Sequence, residues 1–143
     1  MISQDLNQLM YFHWYPDEIE QAKLISHRFL NSILRIGNEN SIDLIFVYIP
    51  PLRDCQPQLL GEPLDDLIEN LGLSPQELDV TNRLADDLQA KVIEHGIPWI
   101  DMRLPYRESS ESCYEVSDLH INSLGNRLIA EALRDELSSR VSR

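Results

Sequence analysis

Apolar residues recur at helical spacing in three parts of the chain, and each part begins at an N-terminal helix signal. The first signal is a proline followed by acidic residues, which the helix dipole favours in a first turn. The second is a Ser-Pro-Gln-Glu capping box, and the third is an Asn-Ser pair before an apolar stripe. The pattern predicts helices over about 17–36 with a stop at Gly37, over 75–95 after Ser74, and from Asn122 or Ser123 onward.

Two other segments are apolar without helical spacing. Residues 42–49 are almost continuously apolar, rich in β-branched and aromatic side chains, and followed at once by Pro50 and Pro51. Residues 97–102 have the same character over a shorter length. A strand, a long helical connection and a second strand together predict a right-handed crossover unit in a parallel sheet.

Three segments give weaker signals. The aromatic run within residues 1–15 is compatible with a short strand or with a packed lead-in. Residues 52–73 are typical of a long connection with a short helix near 63–70, and residues 104–121 of a polar loop.

The predicted fold class is α/β, with one domain over residues 1–143. We expect a partial doubly wound, three-layer fold that has few parallel strands and several flanking helices. A sheet of so few strands leaves an edge unpaired, and a homodimer is one way of covering that edge.

Composition narrows the classes of partner. The chain has 24 acidic and 12 basic residues and a net charge of -12, so its surface repels phosphate backbones and no nucleic-acid partner is expected. No apolar run approaches the roughly 18 residues of a membrane helix. Residues 1–7 do not resemble a signal peptide. We expect a cytoplasmic location for the sequence as written, or an exported one if a longer parent protein carries a signal.

The two cysteines, Cys55 and Cys113, are too few and too far apart in sequence for a zinc knuckle or a redox CxxC motif. Each is expected in a loop that follows a strand. We expect two unpaired thiols, with a disulfide as the alternative in an exported parent protein.

The candidate chemistry lies in the polar loop before the last helix. Asp118 and His120 are two positions apart there, and this loop is expected at the carboxyl edge of the sheet, where ligands of open parallel sheets bind. His120 could act as general base for a hydroxyl nucleophile, with Asp118 fixing the tautomer of the imidazole. Asp-x-His is also a common chance pattern. The structural alternative is that Asp118 caps a turn and His120 packs at the helix entrance.

The surrounding residues carry a resemblance to a known family. The pattern Tyr-x-x-x-Asp-Leu-His-Ile-Asn-Ser-Leu-Gly-Asn-Arg-Leu-Ile-Ala-Glu-Ala-Leu, residues 114–133, resembles the C-terminal block of the SGNH/GDSL hydrolase superfamily. In that family an Asp and a His before the last helix complete a Ser-His-Asp triad. The resemblance implies that His120 is the base, Asp118 its orienting acid and Asn122 the helix cap. It also implies an ester substrate, either a small molecule or a glycan or lipid ester, and no cofactor.

The chain departs from the family pattern in two ways. Many members place the acid three residues before the histidine, where this chain has Ser117. The Gly-Asp-Ser block that supplies the nucleophile is absent, as are counterparts of the oxyanion-hole glycine and asparagine. We therefore expect the C-terminal portion of such a domain, inactive alone. The alternative is a non-catalytic binding or assembly module that retains part of the fold and oligomerises.

Other polar residues offer weaker alternatives. Three loop serines, Ser109, Ser110 and Ser112, could approach His120, but none lies in a tight strand-to-helix turn that would activate a nucleophile. A metal site is a third alternative, because carboxylates follow both strands. Its ligands would be Asp54, Asp101, Asp118 and His120.

The remaining histidines and acidic pairs are expected to have structural or solvated roles. Core or interface packing is the expected role of His13 and Trp14 in the aromatic run, and lining a pocket is the alternative. The residues expected to be structural or solvated are His27, His95, Asp65-Asp66 and Asp86-Asp87.

Overall fold

Helices make up most of the computed structural model, which describes residues 4–115 and 120–141. Two short strands interrupt the series of helices. In chain order the elements are α1 (Gln4–Trp14), α2 (Glu18–Glu39), β1 (Phe46–Tyr48), α3 (Leu52–Cys55), a 3-10 turn (Pro57–Leu59), α4 (Glu62–Leu71), α5 (Pro75–Leu78), α6 (Val80–Glu94), β2 (Trp99–Asp101), α7 (Arg103–Glu108) and α8 (Ser123–Val141).

The two strands pair in parallel, as the sequence predicts. Phe46 lies opposite Trp99 and Tyr48 opposite Asp101. The ladder is flanked by a bond from the Phe46 N–H to the Pro98 carbonyl (2.9 Å) and one from the Met102 N–H to the Tyr48 carbonyl (3.1 Å). The α/β class is therefore confirmed in its coarse form, as a helix-dominated fold around a small parallel sheet.

Each strand is shorter than its apolar segment. The backbone N–H of Ile42 donates to the carbonyl of Gly37 (2.9 Å), so the start of the predicted strand 42–49 closes the end of α2. Only residues 46–48 then pair with β2. The apolar run thus contains residues that are partly shielded from water. The number of residues that pair as strands is limited by the shorter apolar segment of the partner, β2.

Helices cover both faces of the sheet. On one face α2 packs against α6 through Leu30, Leu34 and Val92, and Phe46 and Trp99 lie against this cluster. On the other face α7 and α8 enclose a second cluster that includes Val47 and Ile100 from the strands. Its fully buried members are Met102, Tyr106 and Cys113. The sheet is thus the middle one of three layers.

Several predicted helix boundaries are confirmed. The capping box is present: the Ser74 hydroxyl accepts from the Glu77 N–H (3.3 Å), and the Glu77 carboxylate accepts from the Ser74 N–H (2.8 Å). Two boundaries differ. Gly37 lies inside α2, which ends at Glu39, and the predicted helix over 75–95 is divided at Asp79 into α5 and α6.

One open alternative is decided, and one segment was assigned wrongly. Residues 4–14 form a helix, so the short-strand alternative is wrong; Leu6 and Leu9 are buried against Leu64 and Leu73, as a packed lead-in requires. The polar loop predicted over 104–121 contains most of α7, whose single turn and a half is anchored by the buried Tyr106 ring. Each of these two helices buries only a few side chains, so its sequence shows no clear helical period of apolar residues.

Within the described residues, no helix combines the length and the apolar content needed to cross a bilayer.

Candidate functional site

The segment that carries His120 is held as a short antiparallel ladder. The Glu115 N–H donates to the His120 carbonyl (2.7 Å), and Tyr114 forms an antiparallel bridge with Ile121. The Asn122 N–H closes the ladder by donating to the Cys113 carbonyl (3.0 Å). These backbone bonds fix the exposed His120 two residues before Asn122, the N-cap of α8.

Asn122 joins this ladder to α8. Its side-chain oxygen accepts from the N–H groups of Leu124 (2.9 Å) and Gly125 (3.0 Å), which the helix itself leaves unpaired. Its amide nitrogen donates to the carbonyls of Ser112 (2.7 Å) and Tyr114 (3.2 Å). The predicted N-cap role of Asn122 is confirmed, and the same side chain fixes the preceding loop.

Two further contacts attach the ladder to the chain that follows β1. The Tyr114 hydroxyl donates to the carbonyl of Pro50, two residues beyond the strand. The Cys113 N–H donates to the side-chain oxygen of Gln56 (3.0 Å), whose amide nitrogen donates to the Glu111 carbonyl (3.0 Å). His120 therefore belongs to a segment that is anchored at the carboxyl end of the sheet, where the sequence predicts it.

Asp118, like Ser117, lies outside the described residues. The pairing of Asp118 with His120 therefore stays a prediction.

A cleft of about 450 Å³ opens at the carboxyl end of β1. Its wall includes Tyr48 and Ile49 from the strand end, Leu84 and Leu88 from α6, and the Tyr114 ring. Tyr114 thus contributes to the cleft wall and also to the ladder that carries His120. The lining is mainly apolar, which suits the acyl or alkyl part of a ligand.

Asp101, at the end of β2, is bound to an arginine. The Arg103 guanidinium donates to both carboxylate oxygens, with Nε at 3.0 and 2.9 Å, and the Arg103 N–H adds a bond of 2.9 Å. Partial burial raises the pKa of Asp101, but these hydrogen bonds outweigh it and hold the pKa below its usual value. Arg103 also pairs with Asp86 (2.7 Å). The Asp101 carboxylate is therefore committed to an ion-pair network.

Asp54, after β1, is committed in the same way. Its carboxylate lies 3.2 Å from the Arg53 guanidinium and accepts from the Thr81 hydroxyl at 2.6 Å. Both side chains of the ion pair are almost fully buried. Among residues 4–115 and 120–141, no three histidine, cysteine or acidic side chains are grouped as metal ligands. Two of the four residues expected as metal ligands, Asp54 and Asp101, are therefore bound to arginines instead.

Two of the loop serines have backbone partners. The Ser109 hydroxyl donates to the Glu111 carbonyl (2.8 Å), and the Ser112 hydroxyl donates to the Tyr114 carbonyl (2.7 Å). These short-range bonds shape the loop, and the absence of an activated nucleophile among its serines stays a prediction.

Two histidines connect helices rather than lining the cleft. The His13 ring lies 2.6 Å from the Glu77 carboxylate, which ties α1 to α5, and the His27 ring lies 2.6 Å from Asp87, which ties α2 to α6. The structural role expected for His27 is confirmed. Asp86 is exposed, as expected of a solvated helix face, although it also pairs with Arg103. Asp87 is only partly exposed and is bound to His27, so for this residue the expectation of a simply solvated side chain is wrong.

The two cysteines are free and buried, which confirms unpaired thiols. Cys55 ends α3 instead of lying in a loop, and its thiol lies 3.6 Å from the Tyr114 hydroxyl. Little in the sequence indicates that Gln56 and Tyr114 anchor the His120 segment. The only signal was the position of Tyr114 at the start of the motif.

No protein-family model, no curated protein and no solved structure matches the chain.

Proposed function

We propose that the chain supplies the base and its orienting acid to an SGNH-type ester hydrolase site. His120 would remove the proton from a serine hydroxyl as the oxygen attacks the ester carbonyl, and would return it to the departing alcohol. Asp118 would hold the imidazole in the required tautomer. Water then hydrolyses the acyl-serine. The substrate would be a small-molecule, glycan or lipid ester.

One observation carries this proposal. His120 is exposed, and its segment is fixed to the carboxyl end of β1 by the Tyr114–Pro50 hydrogen bond. The same tyrosine also lines an apolar cleft. A general base has to be both fixed and accessible, and this segment combines the two properties.

The sequence supplies no Gly-Asp-Ser nucleophile, so the chain alone should not hydrolyse esters. We expect p-nitrophenyl acetate to be cleaved no faster with the chain than with a His120→Ala variant. Turnover that disappears in His120→Ala would refute the expected inactivity and would point to a nucleophile among the residues of this chain.

The proposal itself is tested by reading the gene upstream of Met1. If an in-frame extension encodes Gly-Asp-Ser after an apolar strand, the extended protein should hydrolyse the same ester. His120→Ala and Asp118→Asn should each lower its kcat/KM about a thousandfold or more. His95→Ala, at the exposed end of α6, is the matched control and should change nothing. An extension without the block, or activity that survives His120→Ala, would sink the proposal.

A second candidate is an assembly module that does no chemistry. The observation that favours it is the outer edge of β1, which has no neighbouring strand within the described residues. An unpaired strand edge beside apolar surface is a ready site for another chain.

A further inference from the structure

The outer edge of β1 presents an ordered row of backbone groups. Phe46 and Tyr48 direct theirs to β2, since the Phe46 N–H donates to Pro98 and the Tyr48 carbonyl accepts from Met102. Backbone groups of alternate residues point to opposite sides of a strand. Those of Ile45, Val47 and Ile49 therefore point outward, and the described residues form no hydrogen bond with them. We call these three residues the β1 edge.

An apolar stripe on α2 accompanies this edge. Ile25, Phe29, Ile33 and Ile36 recur at helical spacing and are all exposed, with Phe29 at 66%. Successive residues are rotated by about 100° around a helix, which places this stripe roughly opposite His27. His27 contacts α6, and α6 packs on β2. The α2 stripe therefore lies on the side away from β2, which is the side of the β1 edge.

We propose that a second copy of this chain covers the α2 stripe and the β1 edge, as a symmetric dimer. The two β1 edges would pair antiparallel about a twofold axis at Val47. Val47 would then exchange two hydrogen bonds with Val47 of the second copy, and Ile45 would pair with Ile49. Pro51, the next outward position, has no N–H, so the edge ends where this symmetric register ends.

The charge of α2 suits a second copy. The chain has a net charge of -12, which opposes self-association over most of its surface. The helix itself carries three acidic residues and three basic ones, so these charges balance over α2 as a whole. Its acidic first turn would lie near the later basic residues of an antiparallel α2, and the two helix dipoles would be opposed.

The exposed area also suits a dimer. An aromatic side chain buries about 150–250 Å² when fully covered and an isoleucine less, so Phe29 and the three half-exposed isoleucines offer at most roughly 400 Å². A stable interface buries about 800 Å² on each partner. The stripe offers about half of that area, and the proposal requires the β1 edge and the flanking polar side chains to bury the other half. The dimer needs no ester chemistry, so this inference goes beyond the proposed hydrolytic function.

Sedimentation velocity and amide hydrogen exchange test the dimer on the chain itself. We expect a mass twice the 16.6 kDa of the chain, and an amide of Val47 that exchanges at least about tenfold more slowly than in the dissociated chain at low concentration. Phe29→Glu should raise the dimer dissociation constant about a hundredfold, because it places two charges in the apolar contact. It should also restore fast exchange at Val47.

Ile93→Glu is the matched control. Ile93 is an exposed apolar residue on α6 (55%) outside the stripe, so the same change of charge should leave the dimer intact. A monomer at all concentrations overturns the proposal. So does a dimer that survives Phe29→Glu, or one that both variants dissociate. A monomer with a protected Val47 amide would assign the edge to a segment of the same chain. If Phe29→Glu fails to fold, slow Val47 exchange that is lost on dilution of the wild type still decides the matter.

Discussion

The two sides of the sheet differ in how completely they are packed. On the side of α7 and α8, Met102, Tyr106 and Cys113 have no measurable exposure, and the 113–122 segment is bonded to its surroundings through both backbone and side chains. On the side of α2 and the β1 edge, four large apolar residues of one helix are exposed at helical spacing, whereas the exposed Leu104 and Leu137 lie singly on α7 and α8. A face that is already closed has no further need of a partner, whereas an apolar face beside unpaired backbone groups does.

The closest packing on the side of α7 and α8 is at Gly125, so a substitution there should change stability the most. A methyl group there would lie 2.6 Å from the Cys113 carbonyl and 2.4 Å from the Ile121 side chain. Because a backbone atom cannot move aside easily, Gly125→Ala should lower the free energy of unfolding by about 2–3 kcal/mol. Urea denaturation measures this.

Gly37 provides the matched substitution on the α2 side. Its nearest obstacle is the flexible end of Leu44, at 2.9 Å. The helix propensity of alanine offsets this contact, so Gly37→Ala should change stability by less than about 1 kcal/mol. Equal losses in the two variants would remove the distinction between a closed and an open side.

An intermediate effect is expected at Asn122, because it serves both α8 and the His120 segment. Asn122→Ala should cost about 2 kcal/mol through loss of the cap and of two donated hydrogen bonds. Asn122→Ser keeps a cap acceptor and should recover about half of that loss. Thermal unfolding of the two variants separates the cap from the loop contacts. If serine recovers nothing, the cap contributes little.

The smallest effect is expected where the contact is polar and exposed, at Glu77. Hydrogen bonds from Ser74, with a further one from His13, lower the pKa of this carboxyl from 4.5 to about 2. A carboxyl group whose pKa is lowered in the folded state stabilises the fold at pH values above its unfolded pKa. For Glu77 this stabilisation is lost as the pH falls from about 4.5 towards 2.

Glu77→Gln should therefore narrow the stability difference from wild type across that pH interval. Solvent screening keeps the difference below about 1 kcal/mol at neutral pH. Urea titrations at a series of pH values measure it. A difference that stays constant with pH would contradict the assigned cause.

The helix caps, which are made by residues close together in sequence, were predictable from the sequence. The capping box at Ser74 and the cap at Asn122 each depend on residues within three positions, so the sequence alone specifies them. The parallel pairing of β1 and β2 was also predictable, because a continuous apolar run indicates a strand shielded on both faces.

The rest depended on contacts distant in sequence. Tyr114 reaches Pro50 across 64 positions, and the Cys113 N–H finds Gln56 across 57; no local pattern encodes either contact. The arginines that bind Asp54 and Asp101 are only one and two positions away, so these two ion pairs were open to prediction; the Thr81 hydroxyl that also bonds Asp54 is 27 positions away. Of the candidate site, the location of His120 at the carboxyl edge was predictable, and Asp118 lies outside the described residues.

The reactivity of the buried Cys55 thiol depends on local opening of the structure around it. Burial raises the pKa of its thiol to about 11, so at neutral pH an alkylating reagent meets almost no thiolate. Tyr114 lies directly against that sulfur, and its release from Pro50 would admit water to both groups. The alkylation rate of Cys55 would thus measure how often the segment that carries the imidazole detaches from the sheet.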